Sequence, residues 1–312
     1  MNQLSSGDML ADRRADYARM LAESGEPASA AELMTQALEI VPGWAAGWFQ
    51  LATYEEKSGS TEAAVAALQQ VLVLSPGDQF GAGLKLAVLG AAAMPALPPS
   101  RYVEQLFDDY AGRFDGALVE RLGYTVPEKL AALVHGHAGI DHHFAHVTDL
   151  GCGTGLFGER IKANAGFLEG FDLSANMLAK ARDKPLYDRL AQADLSLAPA
   201  VSGVFTEGLD PMRADLVAAA DVLMYLGDLG GVLAIAAELI SDGGIFAFSV
   251  EDAGNVAGFV LRPSLRYAHS ENYVRELLGS HSFILHEMVK TVIRKDGGEP
   301  VHGILFLARK AG

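Results

Sequence analysis

Asp149-Leu150-Gly151-Cys152-Gly153-Thr154-Gly155 decides how the rest of the chain is read. His146-Val147-Thr148 leads into it and reads as the end of a strand. Leu156-Phe157-Gly158-Glu159-Arg160-Ile161-Lys162 follows and reads as the start of a helix. Strand, glycine turn and helix make the first half of a nucleotide-type βαβ unit. The glycines permit positive φ and let a ligand approach the backbone with no Cβ in the way. The helix start then offers free N–H groups to that ligand.

Gly153-x-Gly155-x-x-Gly158 also satisfies the dinucleotide pattern G-x-G-x-x-G. A carboxylate at the strand tip, Asp149, argues against a pyrophosphate, which it would repel. It would attract a ligand that carries an ammonium and a sulfonium, as S-adenosylmethionine does. The next strand, Gly166-Phe167-Leu168-Glu169-Gly170-Phe171-Asp172, ends in an acid 23 positions after Asp149, placed to hold two ribose hydroxyls. Asp172 alone suits NAD equally; the pair favours S-adenosylmethionine. A P-loop is excluded, because no Gly-Lys-Ser/Thr follows.

Asp149-x-Gly151-x-Gly153-x-Gly155 with Gly170-Phe171-Asp172-Leu173-Ser174-x-x-Met177-Leu178 resembles the class I S-adenosylmethionine-dependent methyltransferases. Three further pieces are similar to the subfamily with tetratricopeptide repeats ahead of the catalytic domain: Leu106-Phe107-Asp108-Asp109-Tyr110-Ala111-x-x-Phe114-Asp115, the segment from Asp215 to Asp228, and Arg266-Tyr267-Ala268-His269-Ser270. The resemblance spans essentially the whole chain and speaks to the cofactor far more than to the methyl acceptor. It implies a Rossmann-like α/β sheet of seven strands behind an all-α repeat domain, with boundaries at 1–98 and 99–312.

The chain has 312 residues, enough for two domains with cores. Its 24 basic and 39 acidic residues give a net charge of −15, which disfavours nucleic acid and anionic membranes as partners. The longest apolar runs stop short of a membrane span, and the start Met1-Asn2-Gln3-Leu4-Ser5-Ser6 has no signal-peptide character, so a cytoplasmic protein is expected. A lone cysteine, Cys152, excludes an internal disulfide; inside the turn it reads as a small side chain beneath the cofactor rather than a nucleophile.

Pro42 and Pro76 lie 34 residues apart, the tetratricopeptide period. In the second repeat Trp48, Leu51, Ala52, Ala64 and Leu68 occupy the motif's positions, with Glu55 in place of an aromatic. In the first, Tyr17, Ala18, Ala30, Met34 and Ala37 match, with Arg14 in place of an aromatic. A third helix over 79–93 is expected to cap the stack. Two repeats fall below the usual minimum for independent stability; they suit either a partner-binding groove or self-association. Ala96-Leu97-Pro98-Pro99-Ser100 reads as a linker, followed by an amphipathic helix over 102–115. In related methyltransferases that helix is a lid, which brings Tyr110 and Phe114 towards the methionine end. His135, His137, His142, His143 and His146 show no regular ligand spacing, and no metal is expected.

Strands are expected near 145–150, 167–172, 190–193, 214–220 and 245–250, then a hairpin of 284–294 and 303–308 through Asp296-Gly297-Gly298. In such a sheet ligands lie at the strands' carboxyl ends, which sets Asp149, Asp172, Asp194 and Asp221 along one rim. On this reading Asp149 and the backbone of Gly151, Cys152, Gly153 and Gly155 meet the amino acid end of the cofactor. Asp172 and Leu173 meet the ribose, Met177 the adenine face, and Asp194 and Leu195 the adenine amino edge. Ala220 completes the set at the end of strand four. Asp221, Tyr225 and His269 are the candidate catalytic groups, with Glu251 as a further possible base and Arg266 as a possible grip on an acceptor carboxylate. A small-molecule acceptor is favoured over a protein side chain. The alternatives are an NAD-dependent oxidoreductase and a scaffold that only senses the cofactor.

Overall fold

The computed structural model describes residues 5–113, 123–206 and 208–312. Phe114 lies outside them. The chain divides into two compact units, Met1–Tyr102 and Val103–Gly312.

The first unit is helical: α1 (Met9–Glu23), α2 (Pro27–Ile40), α3 (Ala45–Ser58), α4 (Thr61–Leu74) and α5 (Ala82–Val88). Its core is built largely from small residues, among them Ala11, Ala18, Ala30, Ala37, Ala52 and Ala64, all buried. Small side chains let helix axes approach closely. At Gly47, a Cβ would lie 2.4 Å from the Trp44 ring and 2.9 Å from Leu38. The Trp48 indole N–H donates to the Pro42 carbonyl at 2.8 Å, tying α3 to the preceding turn. The fifth helix is shorter than the 79–93 expected from sequence. Asp78 caps it by accepting from the N–H of Ala82 (2.6 Å) and Gly83 (2.8 Å), so the helix cannot start earlier. Gly90, at φ 74°, follows its end.

Helix α6 (Ser100–Tyr110) begins two residues earlier than the sequence pattern indicates, with Ser100 already helical. The second unit continues with α7 (Val126–Ala138), β1 (Phe144–Leu150), α8 (Leu156–Ile161), β2 (Ala165–Asp172), α9 (Ala175–Arg182), β3 (Arg189–Gln192) and β4 (Ala214–Ala219). Then come α10 (Gly230–Leu239), β5 (Ile240–Asp252), β6 (Phe259–Leu261), β7 (Tyr267–His269), α11 (Glu271–Ser280), β8 (Phe283–Asp296) and β9 (Glu299–Lys310). The strands form one nine-stranded sheet along β3-β2-β1-β4-β5-β7-β6, with β9 antiparallel to β5 and β8 antiparallel to β9.

Seven of these strands are the expected ones. The other two, β6 and β7, are three residues each, too short to show an alternating pattern. They change the reading of Arg266 to Ser270: Tyr267, Ala268 and His269 form a strand that pairs with Glu251 and Asp252 of β5. Apolar cores cover both faces of the sheet. One packs α10 and α11 against Phe246, Phe248 and Phe306; the other packs α7 and α8 against Val147, Leu168 and Ala218. This is the three-layer arrangement that alternating strands and helices require. Among the described residues, no helix is long and apolar enough to cross a membrane.

Candidate functional site

The carboxyl ends of β1 and β2 carry the glycine turn. Gly151, Gly153 and Gly155 have φ of 70°, 54° and 92°, a region open to glycine and costly for other residues. The turn is fastened to β2, since the N–H groups of Gly151 and Cys152 both donate to the Phe171 carbonyl, at 2.7 and 2.9 Å. A Cβ on Gly151 would lie 2.4 Å from the side chain of Val222, so the segment after β4 packs directly on the turn.

Asp149 is buried under the turn. Its Oδ2 accepts from the Tyr187 hydroxyl at 2.7 Å, while its Oδ1 has no hydrogen-bond partner among the described residues. Burial pushes its pKa up to about 7, the Tyr187 bond opposing and neighbouring Asp172 adding to the rise. A buried carboxylate oxygen left unpaired is costly, and it is the kind of group a bound cation or donor would satisfy. Tyr187 is a residue that sequence reading missed. It fills the space left by three glycines: a Cβ at Gly155, Gly158 or Gly170 would come within 3.0, 2.5 or 2.8 Å of its ring or hydroxyl.

Asp172 ends β2 and accepts from the N–H of Gly153 (2.9 Å) and of Ser174 (2.8 Å), one on each oxygen. Burial raises its pKa to about 6, the two backbone bonds oppose this, and Asp108 adds to the rise. Each carboxylate oxygen keeps a further lone pair for a ligand hydroxyl. Leu173 follows, its carbonyl accepting from Gln192 at 2.7 Å. Ser174 caps α9 through the N–H of Met177, and Met177 itself is fully buried. Asp194 turns its carboxylate onto Ser196, accepting from that residue's N–H and hydroxyl, and Leu195 is buried beside it. Cys152 is buried, and its thiol is held well above the ordinary value by burial and by Asp172 and Asp149; it stays protonated and is no nucleophile.

Helix α6 crosses these strand ends. Its Glu104 accepts from Gln192 at the end of β3 (3.2 Å), its Asp108 meets the start of α9, and its Phe107 stands edge-on to Tyr225 with ring centres 4.9 Å apart. Tyr110 is its last residue.

Past β4 the chain passes Ala220 and reaches Asp221, at φ 55°. Asp221 is no free base. Both its oxygens accept from one guanidinium nitrogen of Arg294, at 2.7 and 2.8 Å, and its own N–H donates to Ser249. The other arm of Arg294 binds Glu251, which also faces Arg266 at 3.2 Å, and Arg266 in turn binds Asp296. Tyr225 sits beside Arg266 and Arg294. Glu251 is therefore paired too, and Arg266 is already neutralised by two carboxylates. Arg294 on β8 is the residue that joins this network, 73 positions from Asp221, and no local pattern announces it.

His269 departs from the expected neutral-pH base. It is wholly buried, its Nε2 is 2.8 Å from the Leu226 carbonyl and 3.0 Å from that of Gly227, and burial pushes its pKa down to about 4. With two carbonyls as acceptors, Nε2 carries the proton, and the ring pins the segment after β4 onto β7. Of the clustered histidines, His146 lies 3.2 Å from Glu169 and His137 packs edge-on to His286.

Against known families, residues 148–246 match a profile described as a methyltransferase domain. That match covers about a third of the chain and makes this stretch similar to a methyltransferase domain. Malonyl-[acyl-carrier protein] O-methyltransferase of Pectobacterium atrosepticum is 35% identical over 97 residues, which is 31% of this chain and 36% of that protein. Its counterpart in Enterobacter lignolyticus is 30% identical over 125 residues, 40% of this chain and 44% of that protein. The chain thus spans less than half the length of these relatives. Among solved structures, the 1,6-didemethyltoxoflavin-N1-methyltransferase of Burkholderia thailandensis, with S-adenosylhomocysteine bound, superposes with a TM-score of 0.53 at 19% identity, covering 71% of this chain and 94% of that one. The [4+2]-cyclase SpnF superposes with 0.54 at 16% identity, covering 69% and 98%. Over most of its length the chain therefore shares its fold with a protein named for a different reaction as well, and activity has to be argued from the site.

Proposed function

We propose that this chain transfers a methyl group from S-adenosylmethionine to a small-molecule acceptor. The observation that carries the reading is the pair of carboxylates at the ends of β1 and β2, set on either side of a three-glycine turn, with one oxygen of Asp149 buried and unpaired. When bound, S-adenosylmethionine supplies an electrophilic methyl on a sulfonium. Asp149 beneath the turn satisfies the cationic amino acid end, and Asp172 accepts from the ribose hydroxyls. Leu173, Met177, Asp194 and Leu195 border the adenine, with Met177 acting through the core beneath it. Ala220 and Tyr110 close the methionine side.

The protein's remaining work is to position the acceptor and exclude water from it. Tyr225 is our candidate for that role, with its hydroxyl beside Arg266 and its ring against Phe107 of α6. Asp221 shapes the site by fixing Arg294, and His269 by pinning Leu226 and Gly227. The small-molecule class is supported by the toxoflavin-type neighbour and by the net charge of −15, which opposes nucleic acid. The malonyl-carrier relatives are named for O-methyl transfer to a group held on a protein, so a carried small acceptor falls within the same class.

We read the helical unit as a pair of tetratricopeptide-type repeats with a capping helix. An opening of about 600 Å³ lined by Glu32, Thr35, Gln36, Glu55 and Ser58 favours a second reading, in which that unit recruits a protein that carries or is the acceptor. Full-length protein incubated with methyl-labelled S-adenosylmethionine and a metabolite extract tests both. Label in small organic products supports the first reading; label in the protein fraction alone supports the second. Label in neither, with the cofactor bound, would point to a cofactor sensor.

A further inference from the structure

The Phe107-Asp108 pair on α6 faces two ways, and the roles assigned above do not account for the second residue. Asp108 Oδ1 accepts from the Ser174 hydroxyl at 2.5 Å and from the N–H of Asn176 at 3.2 Å. The Asn176 side chain returns a bond to the Asp108 carbonyl, also at 3.2 Å. Ser174 in turn donates its N–H to Asp172 Oδ1 at 2.8 Å and caps α9 at Met177. Two carboxylates, one on the crossing helix and one at the end of β2, thus share a single serine. A carboxylate over the first turn of α9 also meets that helix's unpaired N–H groups and the positive end of its dipole.

We propose that Asp108 is a positioning residue, which latches α6 onto the first turn of α9 and, through Ser174, fixes the orientation of Asp172. This rests on the reading of Asp172 as the ribose carboxylate and extends it. The cofactor site and the crossing helix then form one unit: ordering Asp172 orders α6, and α6 carries Phe107 onto Tyr225 on the acceptor side. Among the described residues the side-chain bonds of Asp108 run to Ser174 and Asn176, and it acts through them.

The test uses full-length protein, S-adenosylhomocysteine as the probe, and three variants. Asp108→Ala removes the latch. Asp108→Asn keeps an oxygen able to accept both bonds while losing the charge. Asn176→Ala removes only the bond to the Asp108 carbonyl. We expect the dissociation constant to rise about tenfold in Asp108→Ala and two- to threefold in Asn176→Ala, and to stay within about twofold in Asp108→Asn. Amide hydrogen exchange in residues 103–110 should be faster in Asp108→Ala than in wild type without any ligand, and S-adenosylhomocysteine should slow it in wild type, Asp108→Asn and Asn176→Ala but not in Asp108→Ala. Equal binding in Asp108→Ala and wild type would overturn the proposal. So would equal losses in the alanine and asparagine variants, or unchanged exchange in 103–110. If wild type fails to bind the probe, the cofactor reading itself fails, and the exchange of the unliganded variants still decides whether the latch exists.

Discussion

At the scale of single residues, the proposed cofactor site turns on Asp149. Burial lifts its folded pKa from an ordinary 3.8 to about 7, so between those values the folded protein holds a proton that the unfolded chain releases. Stability should therefore fall as pH rises through that window, by up to about 4 kcal/mol for a three-unit shift at 1.36 kcal/mol per unit. Asp149→Asn removes this loss. Urea midpoints measured from pH 5 to 8 should show the variant gaining on wild type as pH rises, while its affinity for S-adenosylmethionine drops. Parallel midpoints across that range would contradict the assignment. A second substitution tests the turn: Gly151→Ala sets a Cβ 2.4 Å from Val222 at a φ of 70° and should abolish cofactor binding, as read by calorimetry on protein that remains folded. The three turn glycines were legible in sequence because positive φ and ligand approach each demand them. Tyr187 and Arg294 were not. Each completes the site from a distant segment, and only the fold brings Tyr187 under Asp149 and Arg294 against Asp221.

At the scale of elements, β1, β2 and the segment entering β4 shelter a buried ion pair apart from the Arg294 network. Glu169 on β2 is fully buried and binds Arg213 just ahead of β4 at 2.8 Å, with the Thr148 hydroxyl donating from β1 and His146 close by. Although burial opposes ionisation, the bonds from His146 and Arg213 leave the Glu169 pKa below its ordinary 4.5. The pair thus adds stability that is present above that value and is lost as pH falls below it. Arg213→Ala should cost about 3–5 kcal/mol at neutral pH by leaving a buried charge unpaired, and Glu169→Gln in the same chain should recover part of that. Chemical denaturation of the two variants checks it; additive losses would show that the groups do not interact. Strands that follow a period of two or run continuously apolar were legible, as was the hairpin turn at Asp296-Gly297-Gly298. The short β6 and β7 were not, because their pairing comes from β5 and from each other. The fifth helix was overextended in sequence because Asp78 reads as a loop residue until its cap bonds are seen.

At the scale of the whole molecule, every residue placed in the candidate site lies beyond Tyr102, in the second compact unit. A fragment of residues 103–312 should therefore bind S-adenosylhomocysteine as the full chain does, within about threefold; loss of binding in a fragment with native circular dichroism would show that the helical unit builds part of the site. The fold class was readable from two motifs, since each maps onto backbone geometry, and the same motifs carry the proposed cofactor. The acceptor was not, because the groups proposed to face it come from α6, the segment after β4, and β7 to β8, and no contiguous stretch encodes them. We propose that the turn between Asp149 and Asp172 holds S-adenosylmethionine. Isothermal titration of the full chain with S-adenosylhomocysteine, run beside NAD and beside Asp172→Ala, tests it most directly. Binding of S-adenosylhomocysteine that Asp172→Ala weakens at least tenfold, with no heat from NAD, is the predicted result; tighter binding of NAD, or an Asp172→Ala affinity equal to wild type, would contradict it.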